Sequence, residues 1–207
     1  MSEERKVVKT VKNAKLFSDG TISITDCRIS YPHLDKKYAR KSTDTPAYSA
    51  VGILPNDTHA EAAQLCRDVA QKMLDEHNKG AKIKADLLFV RNGDLSAKPE
   101  YEGAWTINAR EADNRPVVLN PDKSEMAIED IKPTIKAGFR VDLLIDPWWM
   151  DNDHGKRVNA SLRAVRYRRE DEPLAEGGIS KDDAISSFDD DDDGGFGGDA
   201  DDENGGL

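Results

Sequence analysis

Residues 139–169 read FRVDLLIDPWWMDNDHGKRVNASLRAVRYRR and contain the two segments that decide the fold class. In the first, every second residue is apolar, which predicts a strand over Phe139–Ile145. In the second, Arg157–Arg169, one alternating set is apolar and the other is mostly polar or basic, which predicts a half-buried strand. The polar stretch Asp151–Gly155 between them predicts a hairpin turn rather than a metal-binding loop.

The chain before these two strands predicts a further three strands and one long helix. The strands are Gly20–Tyr31, Tyr48–Leu54 and Trp105–Arg110. Thr58–Asn78 predicts the helix, because its apolar residues recur at spacings of three and four and because Thr58 and Glu61 form a capping-box pattern. Pro32–Pro46 predicts a polar loop with four basic residues, Arg91-Asn92-Gly93-Asp94 a turn, and Ile128–Ile131 a helical turn.

Charge is divided unevenly along the chain. Residues 171–207 hold fourteen acidic residues and one lysine, a net charge of −13. The whole chain carries −10, which leaves about +3 for residues 1–170. A run of aspartates and glycines cannot bury an apolar core, so residues 171–207 are expected to form a disordered acidic tail. Such a tail predicts docking on protein partners and imitation of a phosphate backbone, unless it serves only solubility.

We therefore divide the chain into a basic N-terminal arm, residues 1–19, a folded domain, residues 20–170, and the tail. The expected fold class is mainly β with one long helix. Five strands with an early helix suit a small five-stranded barrel, and the OB-fold is the commonest such barrel that handles nucleic acids.

Several classes of protein are disfavoured by what the sequence lacks. Cys27 and Cys66 lie far apart without CxxC spacing, which indicates neither a disulfide framework nor a cysteine-based zinc site. No segment approaches the roughly 20 apolar residues of a membrane span, and no signal peptide is recognisable, so we expect a soluble intracellular protein. The four histidines are scattered, and no catalytic or nucleotide-loop motif occurs. We expect no enzyme activity, no cofactor and no metal.

Aromatic residues repeatedly lie beside cations, as single-strand binders require for stacking and for phosphate contact. Tyr38 follows Lys36 and Lys37, and Tyr167 lies between two arginines. Trp148 and Trp149 are adjacent in extended chain and point to opposite sides, so at least one of them is expected to face outward.

Short motifs in a fixed order extend this reading. They are Ile29-Ser30-Tyr31-Pro32-His33-Leu34, Tyr48-Ser49, Asn92-Gly93-Asp94, Tyr101-Glu102-Gly103, Ile107-Asn108-Ala109, Arg115-Pro116-Val117, Gly138, Trp148, Gly155, Val158-Asn159-Ala160, Leu162 and Val165. Over roughly residues 20–180 the chain resembles a family of bacteriophage single-stranded DNA-binding proteins. The chain departs from related phage proteins in ending Gly205-Gly206-Leu207 rather than on an aromatic residue.

The resemblance implies an OB-fold, binding of single-stranded DNA without sequence preference, and a role in phage replication, recombination and repair in the cytoplasm of the infected host. It also implies that the acidic tail contacts phage or host replication proteins, and we consider a homodimer as well. Expected phosphate contacts are Arg91, Arg110, Arg115, Arg157, Arg163 and Arg166, and expected stacking residues are Tyr31, Tyr48, Trp105, Trp148 and Tyr167. Expected partner contacts are Phe188, Asp189, Asp190, Asp191, Asp192, Asp193 and Phe196.

Two alternatives stay open at this point. In the first, the body only displays the tail to basic partners and binds no DNA. In the second, the protein is a metal-dependent nuclease that uses Asp142, Asp146, Asp151 or Asp153.

Overall fold

The computed structural model of the protein describes residues 5–78, 83–153 and 155–174, and these contain nine strands and two α-helices. In chain order they are β1 (Val7–Val11), β2 (Ala14–Phe17), β3 (Ile22–Tyr38), β4 (Ala47–Pro55), α1 (Asn56–Asn78), β5 (Val90–Asn92), β6 (Ala104–Glu111), β7 (Val117–Leu119), α2 (Ile128–Thr134), β8 (Arg140–Asn152) and β9 (Gly155–Arg169). Three short 3₁₀ helices, Ala85–Leu87, Gly93–Leu95 and Pro99–Tyr101, lie in the loops around β5. All five predicted strands, the long helix and the helical turn are confirmed.

The strands form one sheet in the order β5-β6-β4-β3-β8-β9-β7, with the β1–β2 hairpin attached to β3. Neighbours are antiparallel except β7 and β9. The predicted closed barrel of five strands is wrong, because this order is an open path of more strands. Between this end of the sheet and β9, a single isolated parallel bridge joins Leu88, just before β5, to Val158.

The N-terminal half of the chain contains more strand than the sequence predicts. The segment expected to be a basic arm forms β1 and β2, and all but the last residue of β1 are exposed, so no burial pattern marks the strand in the sequence. β3 continues through Pro32 into the predicted loop. This is tolerated because pairing with β4 is interrupted between Ser30 and His33, where the missing N–H of proline costs no ladder hydrogen bond.

The core lies between the inner face of the sheet and α1. The predicted apolar stripe of the helix is confirmed, with Ala62, Leu65 and Cys66 buried and Val69 and Met73 packed against them. The β8–β9 ladder ends with Asn152 paired to Gly155, which confirms the predicted hairpin. Neither α-helix of the described residues combines the length and apolarity that a membrane span requires.

The start of α1 is held by contacts that the capping-box prediction did not include. The helix begins at Asn56 and is kinked at His59, where φ is −121° and ψ is 18°. The Glu61 carboxylate accepts from the backbone N–H of Lys12 at 3.1 Å, and Thr58 Oγ1 lies 2.8 Å from His59 Nδ1. The Glu61 side chain therefore joins the helix to the β1–β2 turn, and the Thr58 side chain contacts His59 within the helix.

The segment Asp171–Leu174, which we call the C-terminal strap, packs on the domain although the sequence assigned it to the tail. Asp171 pairs with Arg140 at 2.5 Å, and the N–H of Leu174 donates to the carbonyl of Ala137 at 3.0 Å. The strap crosses Gly138, whose φ is +96° and where a Cβ would lie 2.2 Å from the carbonyl oxygen of Glu172. The remaining tail, with the expected partner contacts from Phe188 to Phe196, lies outside the described residues.

His59 makes the stability of the fold depend on pH. Its side chain is 1% exposed, and Nε2 lies 3.0 Å from the carbonyl of Thr25. Because that oxygen only accepts, Nε2 carries the proton and Nδ1 accepts from the Thr58 hydroxyl. Burial disfavours the imidazolium and lowers the pKa of His59.

We therefore expect the free energy of unfolding to fall as pH drops from about 7 to 5. In the unfolded chain His59 has a pKa of about 6.5 and binds a proton in this range, whereas in the folded protein its lowered pKa disfavours protonation. Chemical unfolding of His59→Gln across this range should show a shallower slope than the unchanged protein. His77→Gln, at an exposed histidine of the same helix, is the control and should keep the slope. Equal slopes in all three proteins would contradict the assignment to His59.

Candidate nucleic-acid interface

A cleft of about 400 Å³ opens on the outer face of the sheet where β3, β4, β6 and β5 lie side by side. The register places Asn108 of β6 opposite Val51 of β4, and Val51 opposite Ser30 of β3. The loops before and after β5 form the rest of its wall. Its lining includes three cations, two aromatic rings and two amides: Arg40, Arg91, Lys98, Tyr31, Tyr101, Asn92 and Asn108.

Tyr31 is held in an uncommon backbone conformation at one side of the cleft. Its φ is 49°, in the left-handed region, at the irregularity of β3 next to Pro32. Lys98 Nζ lies 3.6 Å from the centroid of its ring and donates to its hydroxyl. The second ring, Tyr101, hydrogen bonds through its hydroxyl with Ser30 Oγ at 3.1 Å.

The loop that carries Lys98 is fixed by its own side chains. Asn92 Oδ1 accepts from the N–H of Asp94 at 3.0 Å, which confirms the predicted turn. Asp94 Oδ1 in turn accepts from the N–H of Gly103 at 2.6 Å. A Cβ at Gly93 would lie 2.1 Å from the carbonyl oxygen of Tyr101, so only glycine fits there. Lys98 therefore extends into the cleft from an ordered support.

Arg91 lines the cleft, and Arg157 lies within electrostatic range of it. Arg91 Nε donates to the carbonyl of Leu88 at 2.8 Å, and Leu88 is bridged to Val158, the residue after Arg157. Burial lowers the pKa of Arg91; Asp86 opposes this, and the charge of Arg157 adds to it. Arg157 Nε is buried and has no hydrogen-bond partner among the described residues. Two guanidinium groups and one carboxylate thus interact electrostatically at this point.

The other arginines of β9 are neutralised by carboxylates. Arg163 pairs with Asp146 at 2.6 Å and with Glu111 at 3.3 Å. Arg166 and Arg168 both pair with Asp142, the latter at 2.6 Å. Two of the expected phosphate contacts, Arg163 and Arg166, are thus engaged in ion pairs.

Arg91, Arg110, Arg115 and Arg157 have no ion pair with a carboxylate in the described ranges. Arg110 lies exposed on the outer face of β6 and donates to the carbonyl of Thr45. Arg115 is exposed. One of these four arginines, Arg91, lines the cleft, where the carboxylate of Asp86 also lies.

The structure separates the expected stacking residues. Tyr31 lines the cleft, and Trp148 is 41% exposed on β8. The prediction that one of the two adjacent tryptophans faces outward is confirmed, since Trp149 packs against the core and stacks on His77 at 5.6 Å.

The other three expected stacking residues are largely covered. Tyr48 is 9% exposed, with cations of Lys37 and Arg115 near its ring at 5.8 and 5.7 Å. Trp105 packs against the core beneath the guanidinium of Arg67, 4.2 Å from its centroid. Tyr167 also packs against the core. The structure thus brings together only part of the expected set.

The cleft also contains residues that were not among the expected DNA contacts, although Tyr101 near Lys98 and Tyr38 near Arg40 are aromatic–cation neighbours in the sequence. Lys98, Tyr101 and Arg40 reach the cleft from loops or loop ends, and only the tertiary structure places them there. Asn108 alternates with Arg110 on β6, a signal that would have indicated the same face. His33 and Tyr38 stack at 4.2 Å on the outer face, where His33 is paired with Ser49 and Ser49 with Arg110.

The carboxylates of the nuclease alternative do not converge. Asp142 and Asp146 are bound by arginines, and Asp151 pairs with Lys156 at 3.6 Å. Within the ranges that the structure describes, no three His, Cys, Asp or Glu side chains are placed to hold a metal ion. Three of these four carboxylates thus pair with cations of β9.

Known proteins share this architecture. A structure of the single-stranded DNA-binding protein from bacteriophage Enc34 in complex with ssDNA covers 84% of this chain and 100% of its own, with 38% identity and a TM-score of 0.77. The same Enc34 protein in a second structure covers 88% of this chain and 99% of its own, at the same identity and TM-score. A structure of gp2.5, a single-stranded DNA-binding protein encoded by bacteriophage T7, covers 75% and 95% with 13% identity and a TM-score of 0.51, which is a likeness of fold alone.

Sequence comparison gives the same grouping. Protein p50 of Acyrthosiphon pisum secondary endosymbiont phage 1 is 30% identical over 100 residues, which are 48% of this chain and 50% of that protein. The chain thus matches about half the length of that curated relative. The family described as "Enterobacter phage Enc34, ssDNA-binding protein" matches residues 21–196. With most of its length matched, this chain belongs to the Enc34 family of phage single-stranded DNA-binding proteins.

Proposed function

We propose that the chain coats single-stranded DNA without sequence preference, as a non-enzymatic protein of phage replication, recombination and repair in the host cytoplasm. The observation that carries this proposal is the cleft, where unneutralised cations and aromatic rings share one outer face of the sheet. Membership of the Enc34 family, with an Enc34 structure in complex with ssDNA, supports it.

The cleft offers both kinds of contact that a single strand needs. Arg91, Arg157 and Arg40 bind phosphates, and Tyr31 stacks a base. The stack of half-buried His33 on exposed Tyr38 extends the path toward Arg110. Phosphate contacts carry no sequence information and every base has a π-face, so such a surface is indifferent to sequence. Arg115 and Trp148, both exposed, provide further contacts.

Binding should depend on salt through the cleft cations. With three to five phosphates neutralised, log K should fall with log salt at a slope of about −2 to −3.5. Arg91→Met should reduce the magnitude of that slope by about 0.7, because one phosphate contact is lost. Fluorescence anisotropy of labelled oligo-dT over a salt series measures both.

Arg163→Met is the matched control, since Arg163 is already neutralised by Asp146 and Glu111. Its slope should equal that of the unchanged protein. Slopes reduced equally by both substitutions would contradict the assignment of phosphate binding to the cleft.

The tail competes with DNA for the cleft in this proposal. Leu174, the last residue of the strap, packs with Tyr31 and Val51 against the small cluster of Ile53, Tyr101 and Ala104. Leu174, the last described residue, therefore lies beside Tyr31 and Tyr101 of the cleft, and residues 175–207 include twelve acidic residues and one lysine. A tethered anion at such a position has a high effective concentration.

Neutralising Asp189–Asp193 by five Asp→Asn substitutions should tighten binding of oligo-dT by at least about 3-fold at low salt, where screening is weakest. The chain length and the strap stay unchanged in this variant. At about 500 mM salt the two proteins should bind equally. Anisotropy titrations measure the effect, and equal affinities at low salt would contradict competition by the tail.

DNA that displaces the tail makes it available to replication partners. Phe188 and Phe196 are the only aromatic residues of the tail, and their alanine variants should lose binding to a phage or host polymerase or helicase while oligo-dT affinity is kept. A pull-down on DNA-coated beads tests this. Unchanged capture by both variants would exclude an aromatic anchor.

A further inference from the structure

Lys98 holds an unusual position for a cation in a DNA-binding cleft. Its ammonium lies 3.6 Å from the centroid of Tyr31 and 5.5 Å from that of Tyr101, and it donates to the Tyr31 hydroxyl. Within residues 5–78, 83–153 and 155–174 it makes no ion pair with a carboxylate. Its contacts are thus with the aromatic surface on which a base would stack.

The ring of Tyr31, over which Lys98 lies, is held in position by surrounding contacts. A left-handed backbone at an aromatic residue is costly and persists only where surrounding contacts enforce it. The ring of Tyr31 packs against the cluster of Ile53, Tyr101 and Ala104, which fixes it at the cleft. On the opposite element, the turn of Asn92 and Asp94 fixes the loop that carries Lys98. Both partners of the cation–ring contact are therefore held by independent supports.

We propose that Lys98 occupies the base-stacking position on Tyr31 until DNA binds, and that it then exchanges the ring for a phosphate of the incoming strand. The inference rests on the proposed function, which supplies the ligand: a nucleotide, whose base replaces the ammonium on the ring and whose phosphate receives it. Lysine suits this exchange because its charge sits on a long, rotatable stem.

This exchange gives Lys98 opposite effects on the two parts of the affinity. Its phosphate contact strengthens binding, and salt screens that contribution. Its contact with Tyr31 has to be broken before a base stacks, so it opposes the part of the affinity that salt does not remove. A residue that only contacted a phosphate would strengthen binding at every salt concentration.

The test is a salt series of oligo-dT binding by full-length Lys98→Met, measured by fluorescence anisotropy. The slope of log K against log salt should lose about 0.7 in magnitude, which is about a 5-fold change in relative affinity over a tenfold change in salt. We expect the variant to bind about 2-fold to 3-fold more weakly at 50 mM and about 2-fold more tightly at 500 mM. The plots of log K against log salt for Lys98→Met and for the unchanged protein should therefore cross.

Arg40→Met is the matched control, because Arg40 lines the same cleft and lies over no aromatic ring in the described part of the chain. Its line should converge on that of the unchanged protein at high salt without crossing it. Lys98→Arg keeps the charge and should keep the slope, without a gain at high salt. In a Tyr31→Ala background, Lys98→Met should no longer tighten binding at high salt.

The possible failures are distinguishable. If the plot of log K against log salt for Lys98→Met runs like that of Arg40→Met and does not cross the plot of the unchanged protein, Lys98 is an ordinary phosphate contact. The inference is then overturned while the proposed function stands. If Lys98→Met changes nothing, the exchange is likewise overturned. If the unchanged protein does not bind oligo-dT, the proposed function itself fails. Thermal unfolding of each variant identifies a loss that comes from misfolding.

Discussion

The architecture depends on one strand that must pair with three others. β3 pairs along its first half with β2 and β8 and along its second half with β4. No regular strand follows both paths, and β3 changes direction at Asp26 and Tyr31, the two residues of the strand with positive φ. Each such residue costs about 1–3 kcal/mol, which neighbouring contacts must offset.

The two irregular residues of β3 are stabilised in different ways. Asp26 is surrounded by polar contacts: its N–H donates to Asp142 at 2.9 Å, and Arg140 donates to its carbonyl at 3.1 Å. Tyr31 depends on packing and on Lys98 instead. The same constraint thus yields a corner held by polar contacts at Asp26 and an aromatic ring directed into the cleft at Tyr31.

Carboxylates determine where the positive charge of the domain is available. Exposed ion pairs contribute only about 0–1 kcal/mol each, so the pairs of Arg163 and Arg169 matter little for stability. They matter for location, because they neutralise one part of β9 and leave Arg157 and Arg91 without a carboxylate partner in the described residues. The positive charge of β9 that has no ion-pair partner is thereby confined to the part of the strand around Arg157. Counting arginines in the sequence does not show this sorting, which is why the expected phosphate contacts included both kinds.

The strands and the helix that could be predicted from the sequence are those with a local pattern of apolar residues. Alternation identified β8 and β9, and the three-and-four spacing identified α1. The short strands β5 and β7 have three residues each, too few for a period, and the exposed β1 has no buried face to detect. The open ends of the sheet and the position of Lys98 depend on contacts between distant segments, which no local pattern encodes. Tyr31, Trp105 and Tyr167 are all half-buried aromatic residues, and only Tyr31 lines the cleft, a difference that depends on tertiary structure.

Gly138 determines where the C-terminal strap can lie. The strap passes over it so closely that any side chain would meet the backbone of Glu172, and its φ of +96° excludes most other residues as well. The strap also depends on Arg28, which donates to the carbonyl of Glu172 at 2.5 Å. A side chain at residue 138 would therefore displace the strap together with Leu174, which packs beside Tyr31, so one residue before β8 controls the packing around an aromatic residue of the cleft.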